Sequence, residues 1–147
     1  RPQLRAARPH RPAGTRAAPM SERSAGEVVT ALVRACEQRD LDAVCALVTD
    51  DIAYDNVPIG VVHGPEGVRS VLSGGVTQAA SEVRWEVLVQ VEQGDTVMHE
   101  RIDRFLVDGR WVKIPIAALF RVRDGRIALW RDYFDLESYR RQRTPPS

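Results

Sequence analysis

The spacing of apolar residues changes period along this chain, and the change marks its two halves. In the first half the spacing is mainly helical. Val28, Val29, Leu32, Val33 and Cys36 recur at three- and four-residue intervals, with Glu27, Arg34, Glu37 and Gln38 elsewhere. That pattern predicts an amphipathic helix capped by Ser21 and stopping near Arg39. A second, short helix follows Asp40, with Leu41, Val44, Cys45 and Val48 facing inward. Asp50-Asp51 breaks to a strand at residues 52–56. Pro58, Gly60 and Gly64 mark a loop, and Pro65 at a first helical position starts a third helix carrying Val68, Val71 and Leu72. Gly74-Gly75 interrupts it.

From Glu82 the period becomes two. Val83, Trp85, Val87, Val89 and Val91 alternate with Glu82, Arg84, Glu86, Leu88, Gln90 and Glu92, which reads as one long, half-buried strand. Gln93-Gly94-Asp95 is a turn, and a strand over residues 96–107 follows. Asp108-Gly109 is a hairpin signal. The strand over residues 111–123 contains Pro115, which marks an edge or a bulge. Asp124-Gly125 is a second hairpin signal before a last strand at residues 126–134. Residues 135–143 form a closing helix or turn. Helices first and then an antiparallel meander predict an α+β fold, with the helices packed on one face of a curved, mostly antiparallel sheet. Such an arrangement leaves a cone-shaped pocket, a common place for a small-molecule site.

Composition and charge narrow the class. At 147 residues, 44% hydrophobic and 28% charged, the chain has the balance of a soluble globular domain. No apolar run approaches the roughly 20 residues of a membrane span. Nothing at the N-terminus has the apolar stretch of a secretory signal. The formal charge of +1 conceals an asymmetry. Residues 1–19 hold Arg1, Arg5, Arg8, Arg11 and Arg16 and no acid. The remainder is therefore net acidic and has no charge-based reason to seek nucleic acid. The Arg/Pro/Ala composition of residues 1–19 predicts a disordered tail, and residues 20–147 a single domain beginning at Met20. A targeting peptide or a weak nucleic-acid arm are the alternative readings of the tail. Cys36 and Cys45 lie in helical segments without metal-type partners, and read as free thiols in a reducing, cytoplasmic compartment.

The candidate chemistry lies on strand faces. Arg101, Asp103 and Phe105 share one face of their strand, as do Trp130, Asp132 and Phe134. In each run an aromatic marks the inside and a charge shares it. Buried charges are costly unless paired, and one arginine bridging two carboxylates would satisfy both. Two carboxylates beside one guanidinium can differ in protonation, giving a base and an acid. The same three residues would equally serve as an ion-pair network that fixes the sheet. Tyr54 and Asn56 share a face with Ile52 and could hold a water or a substrate oxygen. His99 has the parity of Arg101 and Asp103; a general base is one reading, a satisfied histidine near a sheet end the preferred one. His63 in a loop and His10 in the tail complete a scattered set with no metal-ligand spacing. There is no phosphate-binding glycine loop and no G-x-S-x-G nucleophile elbow.

The segments Glu100-Arg101-Ile102-Asp103 and Trp130-Arg131-Asp132-Tyr133-Phe134-Asp135, with Tyr54-Asp55-Asn56 upstream, together resemble the limonene-1,2-epoxide hydrolase family. The resemblance covers residues 20–143. It implies the cone-shaped α+β fold shared with nuclear transport factor 2 and ketosteroid isomerase, a homodimer, and catalysis without metal or cofactor. It further implies that Asp132 deprotonates a water held with Tyr54 and Asn56, that Asp103 protonates an epoxide oxygen, and that Arg101 bridges both aspartates. Phe105, Leu119 and Phe134 are then expected to line an apolar substrate site, with no nucleic acid or membrane as partner. The loop at residues 57–63 and the Gly74-Gly75 break are expected at the pocket as well. An epoxide-opening or polyketide cyclase, an isomerase on the same fold, and a non-catalytic binding module are the competing readings.

Overall fold

In the computed structural model, which describes residues 22–145, the first helix α1 spans Ala25–Glu37. Its cap is Ser24, whose hydroxyl accepts the backbone N–H of Glu27. Ser21 and the basic tail of residues 1–19 lie outside the described residues. Arg39 adopts a positive φ of 56°, which ends the helical path. Asp40 then caps α2 (Leu41–Ala46) through Ala43 N–H. Strand β1 (Val48–Asn56) starts earlier than the polarity of Asp50-Asp51 suggests. Its Val48 and Ile52 are fully buried while the two aspartates face solvent. The expected loop contains a short strand, β2 (Gly60–His63), paired antiparallel with β1. Helix α3 (Gly64–Leu72) has proline in its first turn, and the Gly74-Gly75 break opens a further short helix, α4 (Gly75–Ala79).

The second half is a meander of β3 (Glu82–Gln93), β4 (Thr96–Val107), β5 (Arg110–Arg123) and β6 (Arg126–Tyr133), closed by α5 (Leu136–Arg143). Both Asp-Gly hairpins carry positive φ at two successive residues, 50° and 75° at Asp108-Gly109, and 52° and 76° at Asp124-Gly125. This is the turn whose twist matches that of the strands it joins. The six strands are ordered β2-β1-β6-β5-β4-β3. All neighbours are antiparallel except β1 and β6, which run parallel. The sheet is curved and does not close, and register shifts in β1–β6, β3–β4 and β5–β6 mark where strands bend.

One expectation changes here, and the edge expected at Pro115 is found inside an interior strand. β3 is not one uniformly alternating strand. A register shift between Val87 and Val89 inverts its faces, so Val83 and Trp85 are buried while Val89 and Val91 face outward and Gln90 turns toward α1. Pro115 lies in a strand that is interior over most of its length, yet β5 pairs with β6 only from Ala117 onward. The side chain of Gln142 on α5 bonds both the N–H and the C=O of Lys113, taking the place of a neighbouring strand. Residues two apart point the same way, so the imino nitrogen of Pro115 faces this open edge and no bond to β4 is lost.

The core lies between the helices and the concave face of the sheet. Val28, Val29 and Leu32 of α1 pack with Val97, Phe120, Ile127 and Trp130, all fully buried. Among the described residues, no helix is long and apolar enough to cross a membrane. Truncating Leu32 to alanine removes fully buried methyl groups against a rigid sheet. A loss of about 2–5 kcal/mol is expected, read as a lowered urea midpoint with an unchanged slope.

Candidate active site

The inward face of β4 carries His99, Arg101, Asp103 and Phe105, and that of β6 carries Trp130 and Asp132. β5 lies between these strands, so the two aspartates can be joined only by a long side chain with several donors. Arg101, 0% exposed, does this. Its Nε–H donates to Asp103 Oδ1 at 2.8 Å and its Nη2 to Asp103 Oδ2 at 3.2 Å. Toward Asp132, Nη1 donates to Oδ1 at 3.1 Å and Nη2 to Oδ2 at 2.7 Å. Trp130 Nε1–H adds a third donor to Asp132, 2.8 Å from Oδ1. Such two-point contacts fix planes as well as distances.

Aromatic rings frame the cluster. Tyr54 stacks on Trp130 with centroids 4.0 Å apart, and the Arg101 guanidinium lies 4.6 Å above the Trp85 ring. The parallel pairing of β1 with β6 places Tyr54 beside Trp130 and Asn56 beside Asp132. Two residues of a separate strand thereby reach the same spot.

The electrostatics follow from burial. Desolvation pushes Asp103 up to about 6; Arg101 opposes that rise and Asp132 adds to it. Burial also opposes the charge of Arg101, but the two aspartates outweigh it and hold its pKa well above the ordinary value. Desolvation, and next the proximity of Asp132, raises Tyr54 well above the usual phenol range, so it is a neutral hydrogen-bonding group. Cys36 is buried beneath the site as a thiol whose pKa burial drives upward; Cys36 and Cys45 are both free.

A cavity of about 390 Å³ opens onto this cluster. Tyr54, Asn56, Asp103 and Asp132 form its polar end, and Phe105 and Phe134 are part of its apolar wall. Leu119 does not line it. The inward residues of β5 are even-numbered, so Ile114 and Ile116 take that place while Leu119 sits on the opposite face, in register with Met98 and Arg131. Leu119 was expected there with Phe105 and Phe134; strand parity excludes it. Ile59, Gly74 and Gly75 also line the cavity, as expected of those loops, and Tyr139 of α5 joins them. His63 is the N-terminal flanking residue of α3, away from the cluster, and His10 lies outside the described residues. His99 is buried behind Arg101 and does not line the cavity. Among the described residues, no group of three or more His, Cys, Asp or Glu is arranged to hold a metal ion.

Sequence reasoning missed Trp130 as a donor, Trp85 as the surface beneath the guanidinium, and Gln90. The signal for Gln90 was the apolar run Val87-Leu88-Val89, which interrupts strict alternation where the bulge falls.

Residues 23–143 match the family model described as the limonene-1,2-epoxide hydrolase catalytic domain. The chain belongs to the limonene-1,2-epoxide hydrolase family. Within the range of this family, epoxide hydrolase EphG of Mycobacterium tuberculosis is 32% identical over 108 residues, covering 74% of this chain and 71% of that protein. The structure of an M. tuberculosis limonene-epoxide-hydrolase-like epoxide hydrolase superposes with a TM-score of 0.68 at 28% identity, over 80% of this chain and 87% of that one. A protein from Catenulispora acidiphila with a ketosteroid isomerase-like fold, in complex with trimethylamine, gives a TM-score of 0.72 at 25% identity, over 82% of this chain and 94% of that one. These likenesses agree with helices packed on an open, curved sheet in the form of a cone.

The raised Asp103 has a stability consequence whose sign is fixed. Its folded pKa of about 6 lies above the ordinary 3.8, so between these values the folded state holds more protons than the unfolded. Stability from this group therefore grows as pH falls from 6 toward 4. Urea unfolding across that range is expected to show the wild type gaining on Asp103→Asn as pH falls. Parallel curves would contradict the assignment.

Proposed function

We propose that this chain hydrolyses an apolar epoxide, cyclic or terpene-like, to a vicinal diol in one general acid/base step. The observation that supports this most is one guanidinium holding two buried carboxylates at the polar end of an otherwise largely apolar cavity. Asp132 is the base. It takes a proton from a water held between its carboxylate, Tyr54 and Asn56, and the water oxygen forms a bond to one epoxide carbon. The bond from that carbon to the epoxide oxygen breaks, and the oxygen takes the proton of Asp103. Attack and protonation occur together, so neither hydroxide nor alkoxide accumulates. The product carries both hydroxyls, Asp132 ends protonated and Asp103 ionised, and one proton exchange resets the pair.

Arg101 keeps the two carboxyl groups in reach of one substrate while leaving them chemically distinct. Phe105 and Phe134 exclude bulk water and favour an apolar substrate. The chemistry asks for no metal or cofactor, since the two aspartates supply both push and pull. The water-holding pair favours hydrolysis over cyclisation, in which a substrate hydroxyl would replace water.

The outer face of the sheet carries Val89, Val91 and Met98, which are 55%, 61% and 49% exposed, with Leu119 beside them. A second copy of the chain covers this apolar face in a homodimer. Light scattering is expected to give twice the chain mass, and Val91→Glu with Met98→Glu to give a folded monomer; a monomeric wild type would contradict this.

Diol formation from limonene oxide, cyclohexene oxide or styrene oxide, without added metal, tests the reaction. Asp132→Asn is expected to lose essentially all turnover while keeping its fold. For the wild type, kcat/KM is expected to fall as pH rises through about 6, because Asp103 must be protonated. No diol from a folded wild type would shift the reading to a cyclase or a binding module.

A further inference from the structure

A guanidinium has five N–H donors, and the two aspartates accept four bonds from Arg101. The fifth goes elsewhere. Arg101 Nη1 lies 3.1 Å from His99 Nε2, and both groups are buried. Arginine has no acceptor, so Nε2 must present a lone pair and the ring proton must sit on Nδ1. Nδ1 lies 3.1 Å from Gln90 Oε1, an acceptor. The Gln90 amide nitrogen in turn donates to Gly26 O at 3.2 Å and to Thr30 Oγ1 at 3.4 Å, both on α1. Each group in the chain has its polarity dictated by the next. The Phe120 ring, 5.0 Å from the imidazole and edge-on, packs against His99 from β5.

Gln90 is available only because β3 bulges. Without the shift between Val87 and Val89, Val89 would lie opposite His99 and Gln90 would point to the outer face. With it, Gln90 and His99 are direct cross-strand partners.

We propose that His99, held in its Nδ1–H tautomer by Gln90, is a positioning residue for the epoxide-opening reaction, fixing the Arg101 guanidinium so that Asp103 and Asp132 keep separate acid and base roles. This rests on the function proposed above. The ring must remain neutral to accept from Arg101, and desolvation, aided by the Arg101 charge, lowers His99 to about 3. The charged or titratable groups around the network are Arg101 and Asp103 on β4, Asp132 on β6, Tyr54 on β1, Cys36 on α1 and Glu92 on β3, which accepts the N–H of Gly26. None offers the fifth donor another acceptor in the structure, so removing the imidazole nitrogen leaves one buried N–H unsatisfied and the guanidinium free to rotate against its partners.

The test compares wild type, His99→Leu and His99→Gln as full chains. Nitrogen NMR of wild-type His99 reads the network without turnover: a neutral Nδ1–H tautomer from pH 5 to 8 is expected. An Nε2–H tautomer or a titration in that range overturns the proposal. With an epoxide substrate, His99→Leu is expected to lower kcat about 10- to 100-fold with little change in KM, and to shift the alkaline limb of the pH profile. His99→Gln, which can offer a carbonyl oxygen to Arg101, is expected to recover most of the loss. A folded His99→Leu with unaltered kcat and pH limb overturns it too. Should the wild type open no epoxide, the tautomer and the Asp103 titration in His99→Leu still decide the matter. An unmoved Asp103 would then reject the positioning role independently of the reaction.

Discussion

The structure depends on the need to keep Arg101 charged where no water reaches it. A lone guanidinium at that depth would be far too costly. Two carboxylates, one imidazole nitrogen and the face of Trp85 together replace its hydration. Removing any one partner leaves the others mismatched, so the cluster behaves as a unit rather than as a sum of pairs. The sheet is built around that unit. β4 supplies the arginine and one aspartate, β6 the other aspartate, β1 the groups beside it, and a bulged β3 the glutamine that completes the back of the network.

Much of this was legible in the residues because burial and period-two alternation make a contradiction when a charge shares a face with aromatics. Arg101, Asp103 and Asp132 were found that way, and Tyr54 and Asn56 by their shared face near the end of β1. The Asp-Gly pairs gave the hairpins because few residue pairs accept positive φ twice in succession. What was not legible depends on register. Leu119 was expected in the pocket with Phe105 and Phe134, but one position decides the face on a strand. Val89 and Val91 appeared to continue an inward stripe until the bulge reversed them, and the same bulge brought Gln90 inward. Strand β2 and helix α4 are short segments whose formation depends on packing against neighbours rather than on their own pattern.

The site also shows why fold and function separate. A cone formed by helices on a curved sheet is common to proteins of different activities, and gives only a sheltered pocket. Here two carboxylates and the cation between them come from three inward positions on two strands, and Tyr54 and Asn56 come from a third. Shared burial and one cation make the two carboxyl groups unequal: Asp103 is pushed toward its neutral form, while Asp132 accepts from both Arg101 and Trp130. In the mechanism proposed for this chain, that inequality lets identical side chains act in opposite senses.

The most direct test of this account is infrared difference spectroscopy of wild type against Asp103→Asn, followed through pH 4 to 8 without any substrate. A protonated-carboxyl band that belongs to Asp103, present in acid and disappearing near the value of about 6 that its burial sets, is the predicted result. An Asp103 already fully ionised at pH 4 would mean that Arg101 merely neutralises two equivalent carboxylates, and the division into acid and base would have no physical foundation.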